Sequence, residues 1–139
     1  MFKGKTILER IDASTYKLNS RLTYENEKYK VTIKQGLVTD GASIPRIFWS
    51  LVGCPTSGKY VGSALIHDGL YCSEIISRKE ADELFLDMLK DNGVCTIKRY
   101  IMFAAVRIGG YFVWKKHNPG TVEANKAFIN VKTFENVAV

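Results

Sequence analysis

The apolar residues of this chain change their period partway along, and that change limits the fold more than any other feature. Between Lys5 and Gln35 the pattern is period two: Tyr29, Val31 and Ile33 alternate with Lys30, Thr32 and Lys34. Tyr16-Lys17-Leu18 and Leu22-Thr23-Tyr24 repeat it, so this region reads as three or four short strands, each with one buried face. Glu25-Asn26-Glu27 supplies a turn, and Gly36 ends the last strand. From Tyr60 onward the apolar spacing becomes three to four residues, which predicts helices. Strands first and helices afterwards define the α+β class. The expected fold is an N-terminal antiparallel meander packed with a three-helix C-terminal part.

At 139 residues the chain is the size of one domain. It divides into strands over 1–36, a structured loop over 37–59, helices over 60–117 and an extended tail over 118–139. Its 46% hydrophobic and 24% charged residues are those of a chain with a real core, which excludes general disorder. A net charge of +6 admits an anionic partner. The lysines are scattered without interleaved aromatics, so no specific nucleic-acid binding is expected. Three widely spaced cysteines without a C-x-x-C pair argue against a disulfide framework and a cysteine zinc site, and fit a reducing cytoplasm. The N-terminal Met1-Phe2-Lys3-Gly4-Lys5-Thr6 has no apolar core after it, so no signal peptide is expected. The longest apolar run, Tyr100 to Trp114, is interrupted by Arg107 and Gly109-Gly110 and falls short of the roughly 20 residues of a transmembrane span.

In the 37–59 loop, Asp40-Gly41 signals a turn, and Ser43 is a residue type able to cap a short helix whose start Pro45 would fix. Ile44, Ile47, Phe48 and Trp49 give that segment an apolar side, which reads as a loop pinned against the core. Gly53-Cys54-Pro55-Thr56-Ser57-Gly58-Lys59 has the spacing of a phosphate-binding loop, but Tyr60 stands where a metal-binding hydroxyl belongs. A glycine-rich lead-in to the first helix is the better reading.

That first helix runs from about Tyr60 to Cys72. Ser77-Arg78-Lys79-Glu80 is a capping box that opens the second, whose core side is Ala81, Leu84, Phe85, Met88 and Leu89. Asn92-Gly93 closes it. The third, from Thr96 to Lys115 or Lys116, is apolar nearly all round and so is expected at the centre of the packing. In the tail, Ala127 to Thr133 reads as one more strand or an extended arm.

Chemistry concentrates on the first two helices. Ala64, His67, Asp68 and Tyr71 share a helix face. Asp82 falls inside the apolar arc of the second helix, where a carboxylate needs a partner: Arg78 four residues earlier, or a group on the His67 helix. An imidazole can act as general base near neutral pH if a neighbour fixes its tautomer, and Asp82 is placed for that role. Asp68 points about 100° away around the helix and suits a hard divalent cation whose other ligands are loop carbonyls and water, and Asp40 in the preceding loop is a further candidate for that cation. Arg107 needs carboxylates, for which Asp40, Asp68 and Asp82 are candidates. Ser43, Arg78 and Arg107 complete a supporting network.

His67-Asp68-x-x-Tyr71 followed by Ala81-Asp82-x-x-Phe85 resembles the helix pair of phospholipase A2 enzymes, particularly the small viral ones. That resemblance implies His67 as general base, Asp68 as calcium ligand, and Asp82 and Tyr71 as the groups that orient the histidine. Thr39-Asp40-Gly41-Ala42-Ser43-Ile44-Pro45-Arg46 with Phe48-Trp49, His67-Asp68-x-Leu70-Tyr71, Arg78-x-x-Ala81-Asp82-x-x-Phe85 and Ala105-Val106-Arg107 arrive in order and resemble a phage-encoded family, domain of unknown function 1353. It implies a tailed-phage or prophage origin and brings Asp40, His67, Asp68 and Asp82 forward as a set.

Two function classes follow. One is a phage-encoded hydrolase with a His-Asp site, acting on cell-envelope lipid or cell-wall material. The other is a non-catalytic virion component or host-interaction protein, in which the His, Asp and Arg residues form a buried structural network. Either would work in the host cytoplasm during infection or within the virion, with other virion proteins or the host envelope as partners.

Overall fold

In the computed structural model, which describes residues 2–3, 7–12, 15–39 and 61–134, the period-two region forms four short strands, as expected, with one more strand before it and one after it. They are β1 (Phe2–Lys3), β2 (Leu8–Arg10), β3 (Tyr16–Leu18), β4 (Leu22–Glu25), β5 (Tyr29–Ile33) and β6 (Val38–Thr39). The class is α+β, as expected, but the strands do not make one meander. β2, β3 and β6 form one antiparallel sheet in the order β2-β3-β6. β1, β4 and β5 join a second with β7 (Ile129–Thr133), in the order β1-β4-β5-β7. The split occurs at Gly36, whose φ of 109° is a left-handed conformation that glycine adopts without strain. It turns the chain out of β5 and lays Val38 and Thr39 against Lys17 and Tyr16.

The β4–β5 hairpin forms where the sequence places its turn. The Asn26 side-chain oxygen accepts from the backbone N–H groups of Lys28 and Tyr29 at 2.8 and 2.7 Å, an Asx turn that sets the register. Leu22, Tyr24, Tyr29, Val31 and Ile33 then point into the core.

The helices are α1 (Val61–Ser73), α2 (Arg78–Asp91), α3 (Thr96–Lys115) and α4 (Pro119–Asn125). There are thus four among the described residues rather than three, and 118–134 is not an extended tail. Asn118 accepts from the Gly120 N–H at 2.8 Å and Pro119 occupies the first turn, a strong start signal that outweighs weak periodicity. After a single 3₁₀ turn, β7 pairs antiparallel with β5 from Tyr29↔Thr133 to Ile33↔Ile129.

The central helix is α1, not α3. Ser63 to Tyr71 are buried, and α1 packs on α2, on α4 and on strands of both sheets. Gly69 permits the closest approach: a Cβ there would sit 2.8 Å from Ile129 and 3.1 Å from Ile33. α3 buries one stripe, Met102, Ala105, Val106 and Gly110, and leaves Ile97 and Ile108 74% and 71% exposed. Its all-round apolar character reads as burial, but the three-sided position is already filled by α1. α2 is held at both ends by the hairpin: Tyr29 donates to Glu80 at 2.5 Å in the first turn, and Tyr24 to Asp91 at 2.6 Å in the last. The capping box is formed, with Ser77 accepting from the Glu80 N–H and Glu80 from the Ser77 N–H.

Candidate functional site

One turn of α1 separates His67 from Tyr71, and one turn of α2 separates Arg78 from Asp82, so packing α1 on α2 gathers all four. His67 Nε2 lies 2.7 Å from Asp82 Oδ1, and the Tyr71 hydroxyl donates to that same oxygen at 2.5 Å. Arg107, from α3, donates to Asp82 Oδ2 at 2.9 Å. The Arg78 guanidinium stands 3.6 Å from Oδ2 and also donates to the Arg107 carbonyl at 2.8 Å. Asp82 therefore joins three helices. The expectation that it pairs with Arg78 or with the His67 helix is met twice over. Of the three carboxylates considered for Arg107, it takes Asp82.

Aromatic packing fixes the ring positions. The His67 ring centroid is 4.3 Å from that of Tyr71 and 4.6 Å from that of Phe85. Tyr71 meets the indole of Trp114 edge-on at 5.3 Å. Gly110 makes room for this: a Cβ there would lie 2.2 Å from the Tyr71 hydroxyl oxygen.

His67 and Asp82 are 0% exposed. Burial pushes the His67 pKa below its ordinary value, and the hydrogen bond and charge of Asp82 oppose this only in part. For Asp82, burial alone would raise the pKa, but hydrogen bonds from His67, Tyr71 and Arg107 more than offset it and hold the carboxyl below its ordinary range. Burial and Asp82 push the Tyr71 phenol up, so it stays a donor. A neutral imidazole beside an ionised carboxylate carries its hydrogen on Nε2 and its lone pair on Nδ1.

Asp68 belongs to a different surface. Its Oδ2 accepts from the Thr39 hydroxyl at 2.7 Å, so β6 buttresses α1. It lines a pocket of about 540 Å³ with Tyr71, Phe112, Lys116 and His117, among others. The second histidine, His117, places Nδ1 2.9 Å from Glu74 at this pocket. Asp40 and Ser43, with the rest of the loop from residue 40 and the glycine-rich Gly53–Lys59 segment, lie outside the described residues. Among the described residues no group of three or more His, Cys, Asp and Glu side chains is placed to hold a metal ion. Asp68 is the one described carboxylate on the pocket wall, so the described residues alone do not compose a cation site. Cys95 is an exposed free thiol, and the Cys72 thiol donates to the Gly69 carbonyl at 3.5 Å.

Sequence reasoning missed Thr39, Gly110 and the Glu74–His117 pair. Gly110 carried a signal, a glycine inside a helix, which here marks a close approach. Thr39 opens a motif of the family resemblance, but nothing in the sequence tied it to Asp68 or Glu74 to His117, because those partners are 29 and 43 residues away.

A family described as "Protein of unknown function (DUF1353)" matches residues 16–106, a span that contains His67, Asp68, Tyr71, Arg78 and Asp82. Two curated relatives come from Sinorhizobium fredii (strain NBRC 101917 / NGR234). Uncharacterized protein y4jT is 35% identical over 98 residues, which is 68% of this chain and 29% of its own length. Uncharacterized protein y4iH is 35% identical over 68 residues, 49% of this chain and 28% of its own. The chain thus spans under a third of the length of these relatives. No solved structure matches.

Proposed function

Because the chain belongs to the DUF1353 family, whose description names no reaction, we propose its function from its own site: a hydrolase in which His67 is the general base. The observation that carries this reading is the shared oxygen of Asp82, which takes both His67 Nε2 and the Tyr71 hydroxyl. That arrangement fixes one tautomer of a neutral imidazole and places a negative charge behind it, which is what a base needs.

In the proposed step, the imidazole of His67 takes a proton from water as the water oxygen attacks an ester or amide carbonyl. The Asp82 carboxylate stabilises the imidazolium, and the proton then passes to the leaving group. Tyr71 and Arg107 hold Asp82 still. The pocket beside Asp68 has an apolar side, Val38, Phe112 and Val113, and a cationic one, Lys116. An amphiphile of the cell envelope, a phospholipid ahead of a cell-wall fragment, fits that lining, and a phage or prophage protein would meet it in its host. Calcium would fall to Asp68 and Asp40, and no step here depends on it.

A second reading draws on burial. With His67 and Asp82 sealed and two guanidiniums on one carboxylate, the cluster also has the makings of a structural network in a virion or host-interaction protein.

The test measures hydrolysis of phosphatidylglycerol vesicles and of peptidoglycan by wild type and His67→Ala, with and without added calcium, alongside melting curves. The hydrolase reading expects turnover by wild type and a loss of at least about 100-fold in a folded variant. Wild type that leaves both substrates intact under every condition retires the enzyme and leaves the network.

A further inference from the structure

α3 is the most exposed apolar element among the described residues. At about 100° per residue, Ile97, Tyr100, Ile101, Ile108, Tyr111 and Phe112 fall within one arc of about 120°. Their exposures run from 39% at Ile101 to 74% at Ile97. The stripe runs from Ile97 to Phe112, about 22 Å at 1.5 Å per residue. A contiguous apolar strip of that length is more than scattered surface leucines and isoleucines and marks a site of contact.

Charge narrows the partner. Besides Arg107, which is paired with Asp82, α3 carries Lys98, Arg99 and Lys115, Lys116 follows, and the helix has no Asp or Glu. Arg99 and Lys115 each sit 5.8 Å from a tyrosine ring of the stripe, Tyr100 and Tyr111. Aromatic rings with cations at their rim are the composition of a helix lying in the headgroup layer of a bilayer. A second copy of this chain is a poorer fit, because two such faces would bring cations together with no carboxylate on either helix to meet them. Among the described residues no helix is long and apolar enough to cross a membrane, so the helix would lie on the surface.

We propose that the outward face of α3 docks the protein onto an anionic phospholipid surface. The stripe leads to the candidate site: Phe112 at its edge also lines the pocket of Asp68 and Tyr71, beside Lys116. A docked α3 would thus set the pocket mouth at the headgroup layer. The docking stands on α3 alone, and only the purpose of that placement rests on the hydrolase reading.

The test is co-sedimentation of the full chain with vesicles of phosphatidylglycerol and phosphatidylcholine in equal parts, and with phosphatidylcholine alone. Wild type is expected to bind the anionic vesicles at least about tenfold more tightly, and to lose that preference in raised salt. Ile108→Asp, and separately the pair Lys98→Glu and Lys115→Glu, should each weaken binding at least about tenfold with unchanged far-ultraviolet circular dichroism. His67→Ala should bind as wild type does. Absent binding, binding indifferent to these substitutions, or a wild-type dimer in sedimentation velocity that Ile108→Asp dissolves would overturn the proposal. Docking without hydrolysis would retire the hydrolase reading alone. Hydrolysis undiminished in a non-docking variant would leave the docking standing and overturn its role in setting the pocket mouth at the headgroup layer.

Discussion

His67 Nε2 stands 2.7 Å from Asp82 Oδ1 in a position with no solvent exposure for either side chain, and the second oxygen of the same carboxylate takes Arg107 at 2.9 Å. One acidic group therefore answers an imidazole on α1 and guanidiniums on α2 and α3. Its removal takes the shared acceptor from a buried imidazole and two part-buried guanidiniums.

Asp82→Ala is accordingly expected to destabilise the fold by about 3–5 kcal/mol, the range for breaking a buried pair from one side. Asp82→Asn retains an acceptor for His67 and Tyr71 and should lose less. Urea unfolding monitored by tryptophan fluorescence measures both. A loss below about 1 kcal/mol for Asp82→Ala would show that the arginines are satisfied by solvent instead.

Stability should fall in two stages on acidification. The folded-state pKa of His67 is lowered by burial, so below the ordinary value of 6.5 the unfolded chain binds a proton that the folded chain does not. Stability is then full above 6.5 and declines as pH drops beneath it. Asp82, held below its ordinary 3.8 by its hydrogen bonds against the opposing effect of burial, adds a second decline as pH falls through that value toward its folded pKa. Melting temperature measured between pH 8 and pH 3 tests this. The first stage should vanish in His67→Gln, and its persistence there would assign it to another group.

Gly110→Ala should act through Tyr71. The added Cβ would fall 2.2 Å from the hydroxyl oxygen and 3.0 Å from two ring carbons. The phenol must swing off Asp82 or α3 must back away, an overpacking loss of about 1–3 kcal/mol. Tyr71→Phe removes the closest of these contacts, so the double variant should be less destabilised than the two single ones summed. Strict additivity would mean that Tyr71 does not contact α3 in solution.

Much of this site was legible because its parts are local. The capping box, the core side of α2 and the anomalous Asp82 within it all follow from helical spacing, and His67 with Tyr71 from a single turn. The long-range pairings were not. Nothing near Ile129 marks it as the partner of Ile33, and nothing near Thr39 marks Asp68. α3 was misplaced for another reason. Composition tells a helix's preference for apolar surroundings, not whether this chain or something else provides them. α1 carries His67 and Asp68, yet it is the buried one, and those two residues are hydrogen-bonded where they sit.

The hairpin's grip on α2 is a separable contribution. Tyr24 has a wholly buried ring and donates to Asp91, and Tyr29 donates to Glu80. Burial and Glu80 push the Tyr29 phenol up to about 12, so it remains a donor through the ordinary pH range. Tyr24→Phe and Tyr29→Phe each delete one hydroxyl without emptying the core, and each should lose about 0.5–1.5 kcal/mol. Amide exchange should quicken at the corresponding end of α2: the last turn for Tyr24, the first for Tyr29. Uniform exchange along the helix would contradict the two-point attachment.

If His67 is the general base, the rate must depend on its neutral form. Its lowered pKa places the acid limb of kcat/KM below pH 6.5. The carboxylate of Asp82 opposes that lowering, so Asp82→Asn should move the limb to lower pH still. It should also reduce kcat, because the imidazolium formed in the reaction loses its counter-charge. A residue that merely holds the fold together would reduce the amount of active protein and leave the limb where it was. Profiles of kcat/KM against pH for wild type and Asp82→Asn, on vesicle substrate between pH 4.5 and pH 8, separate the two. An unmoved limb with a reduced rate would make Asp82 a structural residue, and a wild-type rate without an acid limb would remove His67 from the base role.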